Sequence, residues 1–307
     1  MNTRVLGLIL ASSAFAHLAS SAAVADDRQM VISIDDLPGN GAGSLEEEEE
    51  DTVRLLDVLK RHAVPAIGFV NERKLETDGA VDRSRVALLE RWLDAGFELG
   101  NHGYAHLDLH KVEPTRWLAD IPKGERVLRP LLLARGTAPR FFRHPYLHTG
   151  LDLEARARTT ELLTQLGYAV APVTIDNQEW RIAGAYARTR DEAEKRRLGE
   201  MYVEYMVAML EFYEDQTLRI IGEAIPHVLL IHANALNAHW LDALLTRYEK
   251  HGYKFVPLEM ALENSAYDSA DEFTGSGGIT WLHRWAITRG MPASTFAGEP
   301  ELPAEFP

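Results

Sequence analysis

Short apolar strands alternating with amphipathic helices predict an α/β protein built on parallel strands, either an open sheet or a barrel. Strand candidates occur at 30–35, 65–70, 97–100, 140–143, 168–175, 227–232 and 253–256. Helical patterns fill the gaps. Residues 52–62 place Val53, Leu56 and Leu59 on one face, and 84–95 place Val86, Leu89 and Leu93 on another. Further helices are expected at 114–134, 154–166, 237–251 and 258–264. A second observation points the same way: polar residues gather where the strand candidates end, and parallel α/β architectures collect ligands at the carboxyl ends of their strands.

Taken in order, residues 1–25 have the pattern of a secretory signal. Arg4 supplies the positive region, Val5 to Phe15 a largely apolar stretch, and Ala23-Val24-Ala25 a small-residue cleavage site. An exported protein, periplasmic or secreted, is the expectation. No later segment approaches a membrane span. The acidic run Glu46 to Asp51 suits the positive end of a helix. Residues 183–223 are long, charged and helix-prone, with the stripe Tyr202, Tyr205, Met206, Met209, Leu210 and Tyr213, and read as an inserted helical pair with a packing face. After about residue 264 the chain turns Gly/Ser-rich, then carries one short helical pattern, Ile279 to Arg289. This gives a main domain over 26–264 and a C-terminal arm over 265–307, folded back on the same body.

Composition narrows the chemistry. Of 307 residues, 46% are hydrophobic, enough for a sizeable core, and the formal net charge is −14. That charge argues against nucleic acid and anionic membrane surfaces as partners. No obligatory protein partner is evident. There is no cysteine, so any metal must be held by His, Asp or Glu, a donor set that suits zinc or a neighbouring first-row ion.

The adjacent pair Asp35-Asp36 ends the first strand, after Met30-Val31-Ile32-Ser33-Ile34. Two carboxylates side by side repel, and a divalent cation is the simplest relief; a solvated acidic turn is the alternative. His102 and His106 follow the strand at 97–100, and a four-residue spacing brings both imidazoles to one face of a helical turn. His106/His110 and His144/His148 share that spacing, but Pro145 disfavours a helix in the second. His110 reads as a surface or supporting residue. Asp36, His102 and His106 together would form a His₂Asp site with an open position, the mark of a catalytic metal. Arg143-His144-Pro145-Tyr146 and His232 end two further strands on the same rim.

These residues resemble the NodB-homology polysaccharide deacetylases over roughly residues 28–262. Ile34-Asp35-Asp36 is similar to the paired-aspartate motif, and Asn101-His102 through His106 to the metal-binding histidine motif. Arg143-His144-Pro145-Tyr146 resembles Arg-x-Pro-Tyr, Asp176-Asn177-Gln178-Glu179-Trp180 resembles Asp-x-x-Asp-Trp, and Leu230-Ile231-His232 resembles Leu-x-His. The resemblance implies a distorted (β/α) barrel with an incomplete strand count, here with a helical insertion and the arm. It also implies metal-dependent removal of acetyl groups from sugars, with Asp36, His102 and His106 on a divalent metal, most often zinc. Asp35 would be the general base, held ionised by Arg143. The Tyr146 backbone N–H would meet the oxyanion, His232 would protonate the leaving amine, and Trp180 and Pro145 would contact substrate. One departure stands out: the acid before the tryptophan, which tunes the catalytic histidine, is Glu179. Either Glu179 or Asp176 fills that role here.

The expected substrate is an N-acetylated sugar polymer or oligomer, chitin-like or peptidoglycan-like. The alternatives are an O-acetyl esterase on xylan or exopolysaccharide, a non-catalytic carbohydrate binder with Trp281 and Trp285 as stacking platforms, and an amide hydrolase on a non-sugar substrate such as a cyclic ureide.

Overall fold

The apolar run at 30–34 grows into the longest strand, β1 (Gln29–Leu37), whose Met30, Val31, Ile32 and Ile34 are fully buried. Burial on both faces explains why it reads as a continuous apolar run rather than an alternating one. The computed structural model describes residues 28–39, 43–303 and 306. The signal-like stretch 1–25 lies outside the described residues.

Along the chain follow α1 (Leu45–Arg61), β2 (Ile67–Val70), a small hairpin of β3 (Glu76–Thr77) and β4 (Ala80–Val81), α2 (Arg83–Asp94) and β5 (Glu98–Asn101). Then come α3 (Pro114–Lys123), α4 (Leu128–Leu133), β6 (Phe141–Phe142), α5 (Leu153–Gln165) and β7 (Ala169–Val170). The last part holds α6 (Glu179–Arg188), α7 (Glu192–Ile220), β8 (His227–His232), α8 (Ala235–Lys250), β9 (Lys254–Phe255), α9 (Leu258–Leu262) and α10 (Trp281–Thr288). The acidic run opens α1. Ser44 caps it in a reciprocal box with Glu47, and Glu46, Glu47 and Glu48 sit in its positive first turn.

Seven strands pair in the order β7-β6-β5-β2-β1-β8, with β9 joining β1, and every pair is parallel. The segment after β7 then reaches the opposite edge. Ala171 N–H donates to Phe142 O (2.8 Å), while Thr174 N–H donates to Val228 O (3.0 Å) and Leu230 N–H to Ile175 O (3.2 Å). One bent segment thus joins both edges and curls the sheet into a distorted (β/α) barrel, with seven strands among the described residues. It also explains why 168–175 reads as one strand yet pairs at its two ends with different partners.

The helix expected over 114–134 breaks in two. Gly124 caps α3 so close to the histidine loop that a Cβ there would lie 2.8 Å from the Gly103 carbonyl carbon. The insertion is the helical pair α6–α7, and its stripe Tyr202, Tyr205, Met206, Met209, Leu210 and Tyr213 is buried in the main core. Trp281, Leu282 and Trp285 of α10 join that same core, so neither tryptophan is a surface platform. No described helix is long and apolar enough to cross a membrane.

Candidate active site

Successive strand residues point to opposite faces, so Asp35 and Asp36 should part company. A register shift between β1 and β2 at Ile34/Leu37, with Asp36 in the left-handed region (φ 72°), turns both toward one cleft. Lys74, which has no signal in the sequence, lies 3.1 Å from Asp36 Oδ2. Burial works to raise the Asp36 pKa, but Lys74 and the nearby histidines outweigh it and hold the carboxyl well below the usual range. Asp35 is the opposite case: burial dominates and raises it, despite Arg143 and His232.

The histidine pair meets, though not on a helical turn. His102 ends β5 and the chain loops through Gly103 (φ 77°) to His106 (φ 51°), so the four-residue spacing closes through left-handed backbone. Asp36 Oδ1 lies 3.9 Å from His102 Nε2 and 3.7 Å from His106 Nε2. His102 Nδ1 donates to Arg143 O at 2.8 Å, which fixes the tautomer and leaves Nε2 as a lone pair. Burial brings both imidazoles down to about 4, so they are neutral and able to ligate near pH 7.

Arg143 is fully buried, with Nη1 3.7 Å from Asp35 Oδ2 and Nη2 donating to Ser33 Oγ at 2.9 Å. The contact with Asp35 is an ion pair beyond hydrogen-bond distance. Next along, Tyr146 (φ 57°) and Leu147 (φ 55°) are consecutive left-handed residues. That conformation costs roughly 1–2 kcal/mol per non-glycine residue, so the surroundings must hold this loop.

His232 sits directly opposite Asp35 in the parallel register of β1 and β8. Of the two acids considered for it, Glu179 makes the contact: His232 Nδ1 to Glu179 Oε2 is 2.9 Å. Glu179 is fully buried, and its Oε1 accepts from Asn234 Nδ2 (2.5 Å) and Asn237 Nδ2 (2.6 Å). Burial would lower the His232 pKa, but Glu179 overrides it and raises it to about 9. Asp176 instead accepts from the Asn177 N–H at 2.8 Å, and burial lifts it to about 6. The longer glutamate side chain spans from the start of α6 to the end of β8.

A single cleft is lined by Asp35, Asp36, His102, His106, Tyr146, Asp176, Trp180 and His232. Trp180 is 58% exposed on its rim. Pro145, expected to contact substrate, is buried. Its fixed φ suits the turn that leads into Tyr146. Asp108, His110 and His148 also bring donor atoms within 4.8 Å of one another. His110 spends both nitrogens, accepting from Gly150 N–H (3.1 Å) and reaching Ser276 O (3.3 Å). A neutral imidazole used twice has no lone pair for a metal.

Residues 23–171 match the family model described as polysaccharide deacetylase. Over 132 residues the chain is 30% identical to the peptidoglycan-N-acetylglucosamine deacetylase of Bacillus cereus, covering 43% of this chain and 42% of that protein. The match thus spans about two fifths of that relative's length. Among solved structures, the peptidoglycan deacetylase PdaC from Bacillus subtilis is 20% identical, with a TM-score of 0.50 over 79% of this chain and 94% of that one. A family 4 carbohydrate esterase from Streptomyces lividans is 16% identical, with a TM-score of 0.50 over 77% and 97% of the two chains. A family pseudoenzyme from Bacillus anthracis has 19% identity and a TM-score of 0.50, over 77% of this chain and 66% of its own. At these identities the structures establish a shared fold. Residues 23–171, a little under half of the chain, thus match the polysaccharide deacetylase family in sequence, and the chain shares the fold of these solved structures.

Proposed function

We propose that the protein is an exported, zinc-dependent hydrolase that removes N-acetyl groups from amino-sugar polymers or oligomers, chitin-like or peptidoglycan-like, with release of acetate. One observation carries the reading. The Asp36–His102–His106 cluster lies in a cleft flanked by two further ion pairs, Arg143 with Asp35 and Glu179 with His232.

The residues fit a divalent cation. Asp36 Oδ1 is buried with no hydrogen-bond partner and faces the two Nε2 atoms at 3.7 and 3.9 Å. Zinc bonds near 2.0–2.2 Å in a tetrahedral site set donors about 3.3–3.6 Å apart, close to this spacing. When bound, such an ion supplies Lewis-acid activation of water and of the acetyl carbonyl.

The chain's own groups do the rest. Asp35 takes a proton from the attacking water as its oxygen bonds to the acetyl carbonyl carbon. Arg143 keeps that carboxylate in place. Tyr146 lines the cleft, and the resemblance of Arg143-His144-Pro145-Tyr146 to the family's Arg-x-Pro-Tyr motif assigns its N–H to the oxyanion. His232, with Nδ1 held by Glu179, presents Nε2 to the leaving nitrogen. It donates its proton there as the C–N bond breaks, leaving acetate and a free amine.

The test is acetate release from N-acetylated chito-oligosaccharides and from acetylated xylan, each with and without chelator. Chelator-sensitive release from the chito-oligosaccharides is expected, and release confined to xylan would overturn the amide reading.

A pH prediction follows from the raised His232. The acid must be protonated, so kcat should fall as pH rises through about 9. Glu179→Gln removes the charge that holds the proton, and His232 should drop toward its ordinary value of about 6.5. The alkaline limb of the kcat profile should therefore move to lower pH by one to two units, roughly. An unmoved limb would exclude His232 as the acid.

A further inference from the structure

We propose that the segment after residue 264 is a positioning element for the oxyanion loop, acting through Arg284 and Gly278. The proposal rests on the assignment of the Tyr146 N–H to the oxyanion.

The loop at 144–150 holds two successive left-handed residues that its own hydrogen bonds do not explain. The arm supplies what is missing. Arg284 is fully buried. Its Nη2 donates to Thr149 Oγ1, and its Nη1 lies 3.5 Å from the Leu147 carbonyl oxygen. Its charge is met by Asp271, with Nε 3.0 Å from Oδ2, and its guanidinium stacks 4.3 Å from the Trp281 ring centroid. Burying a guanidinium is costly unless every contact is well made. A segment that served only to cover the core would use an aliphatic side chain there.

The second contact is backbone to backbone. A Cβ on Gly278 would lie 1.9 Å from Tyr146 O, so the arm rests on the carbonyl of the very residue whose amide is assigned to the oxyanion. Ser276 O adds a tie to His110 Nδ1 at 3.3 Å. The arm is itself anchored: Trp281 N–H donates to Val173 O at 2.8 Å, and Trp281, Leu282 and Trp285 lie in the main core. Rigid core packing is thereby transmitted to the loop through one guanidinium and one glycine. Arg284 lies outside the cleft and Gly278 at its edge, and together they set the angle at which the Tyr146 amide is held.

The experiment uses the full chain carrying Arg284→Met, Arg284→Lys or Gly278→Ala. It measures kcat and KM for acetate release from a chito-oligosaccharide, zinc content, and hydrogen–deuterium exchange of peptides covering 144–150 and β1. Arg284→Met and Gly278→Ala should lower kcat about 10–100-fold, the scale of a misplaced catalytic group. KM should stay within about twofold and zinc unchanged. Exchange should quicken over 144–150 and not in β1, and Arg284→Lys should recover part of the rate. Unchanged kcat in both variants, or unaltered loop exchange, overturns the proposal. Should Arg284→Met fail to fold, Gly278→Ala, outside the core, carries the same readouts. If the parent chain releases no acetate, the deacetylase reading falls on its own. Loop exchange then still decides whether the arm braces 144–150.

Discussion

Asp35→Asn is expected to lower kcat for acetate release by about 10²–10⁴-fold, the range supplied by a positioned general base, with zinc content unchanged. The substitution keeps size and shape but removes the basic oxygen. Asp35 Oδ2 lies 3.7 Å from Arg143 Nη1 and 3.8 Å from His102 Nε2, beside the proposed metal ligands and where a general base would have to stand. Asp36, His102 and His106 are untouched, which is why elemental analysis should read full zinc. A stability loss of a few kcal/mol, roughly, should accompany the change, because fully buried Arg143 loses its charge partner. The Ser33 hydrogen bond and the Phe69 ring, 4.7 Å from the guanidinium carbon, remain to hold it. A thermal melt separates that loss from the kinetic one. Full acetate release by a folded Asp35→Asn would remove Asp35 from the base role.

The second large effect is the reverse pattern. His102→Ala should lose the metal and, with it, acetate release. The loss of affinity should exceed the roughly 10–100-fold that follows removal of a supporting partner, since a ligand itself is gone. His102 is almost fully buried beside Phe69, so alanine also leaves a cavity. His102→Gln, closer in volume, is the control for packing, and zinc content of the purified chain is the readout. Full zinc binding by both variants would exclude the cluster as the metal centre. The two variants together separate the jobs of neighbouring groups: one loses turnover with metal retained, the other loses metal first.

Much of this was legible in the amino-acid order because the responsible physics is local. β1 and β8 stand out as apolar runs, since strands buried on both faces need no polar alternation. The helix over 114–134 was not legible as two pieces, because the break at Gly124 answers a close contact with Gly103 far back in the chain. His102 and His106 were legible as a pair, but the local geometry that joins them is a left-handed loop rather than a helical turn. Lys74, Asn234 and Asn237 carried no signal. Each becomes part of the site only through a partner brought in from another element.

The sequence by itself determined the donor types, the alternation of strands and helices, and the absence of thiolates. It also determined that two acids, not one, were available to hold His232. Only the tertiary structure decided between them. Glu179 and His232 are 53 residues apart along the chain and 2.9 Å apart in space, a proximity created by the start of α6 packing over the end of β8. The same holds for Asp35 and Asp36, adjacent in sequence yet driven in opposite directions. One carboxylate is surrounded by Lys74 and two histidines, and the other is buried beside Arg143. Electrostatic and hydrogen-bond energies fall off over a few ångströms, so partners that fold into place, rather than neighbours along the chain, settle what each carboxylate does.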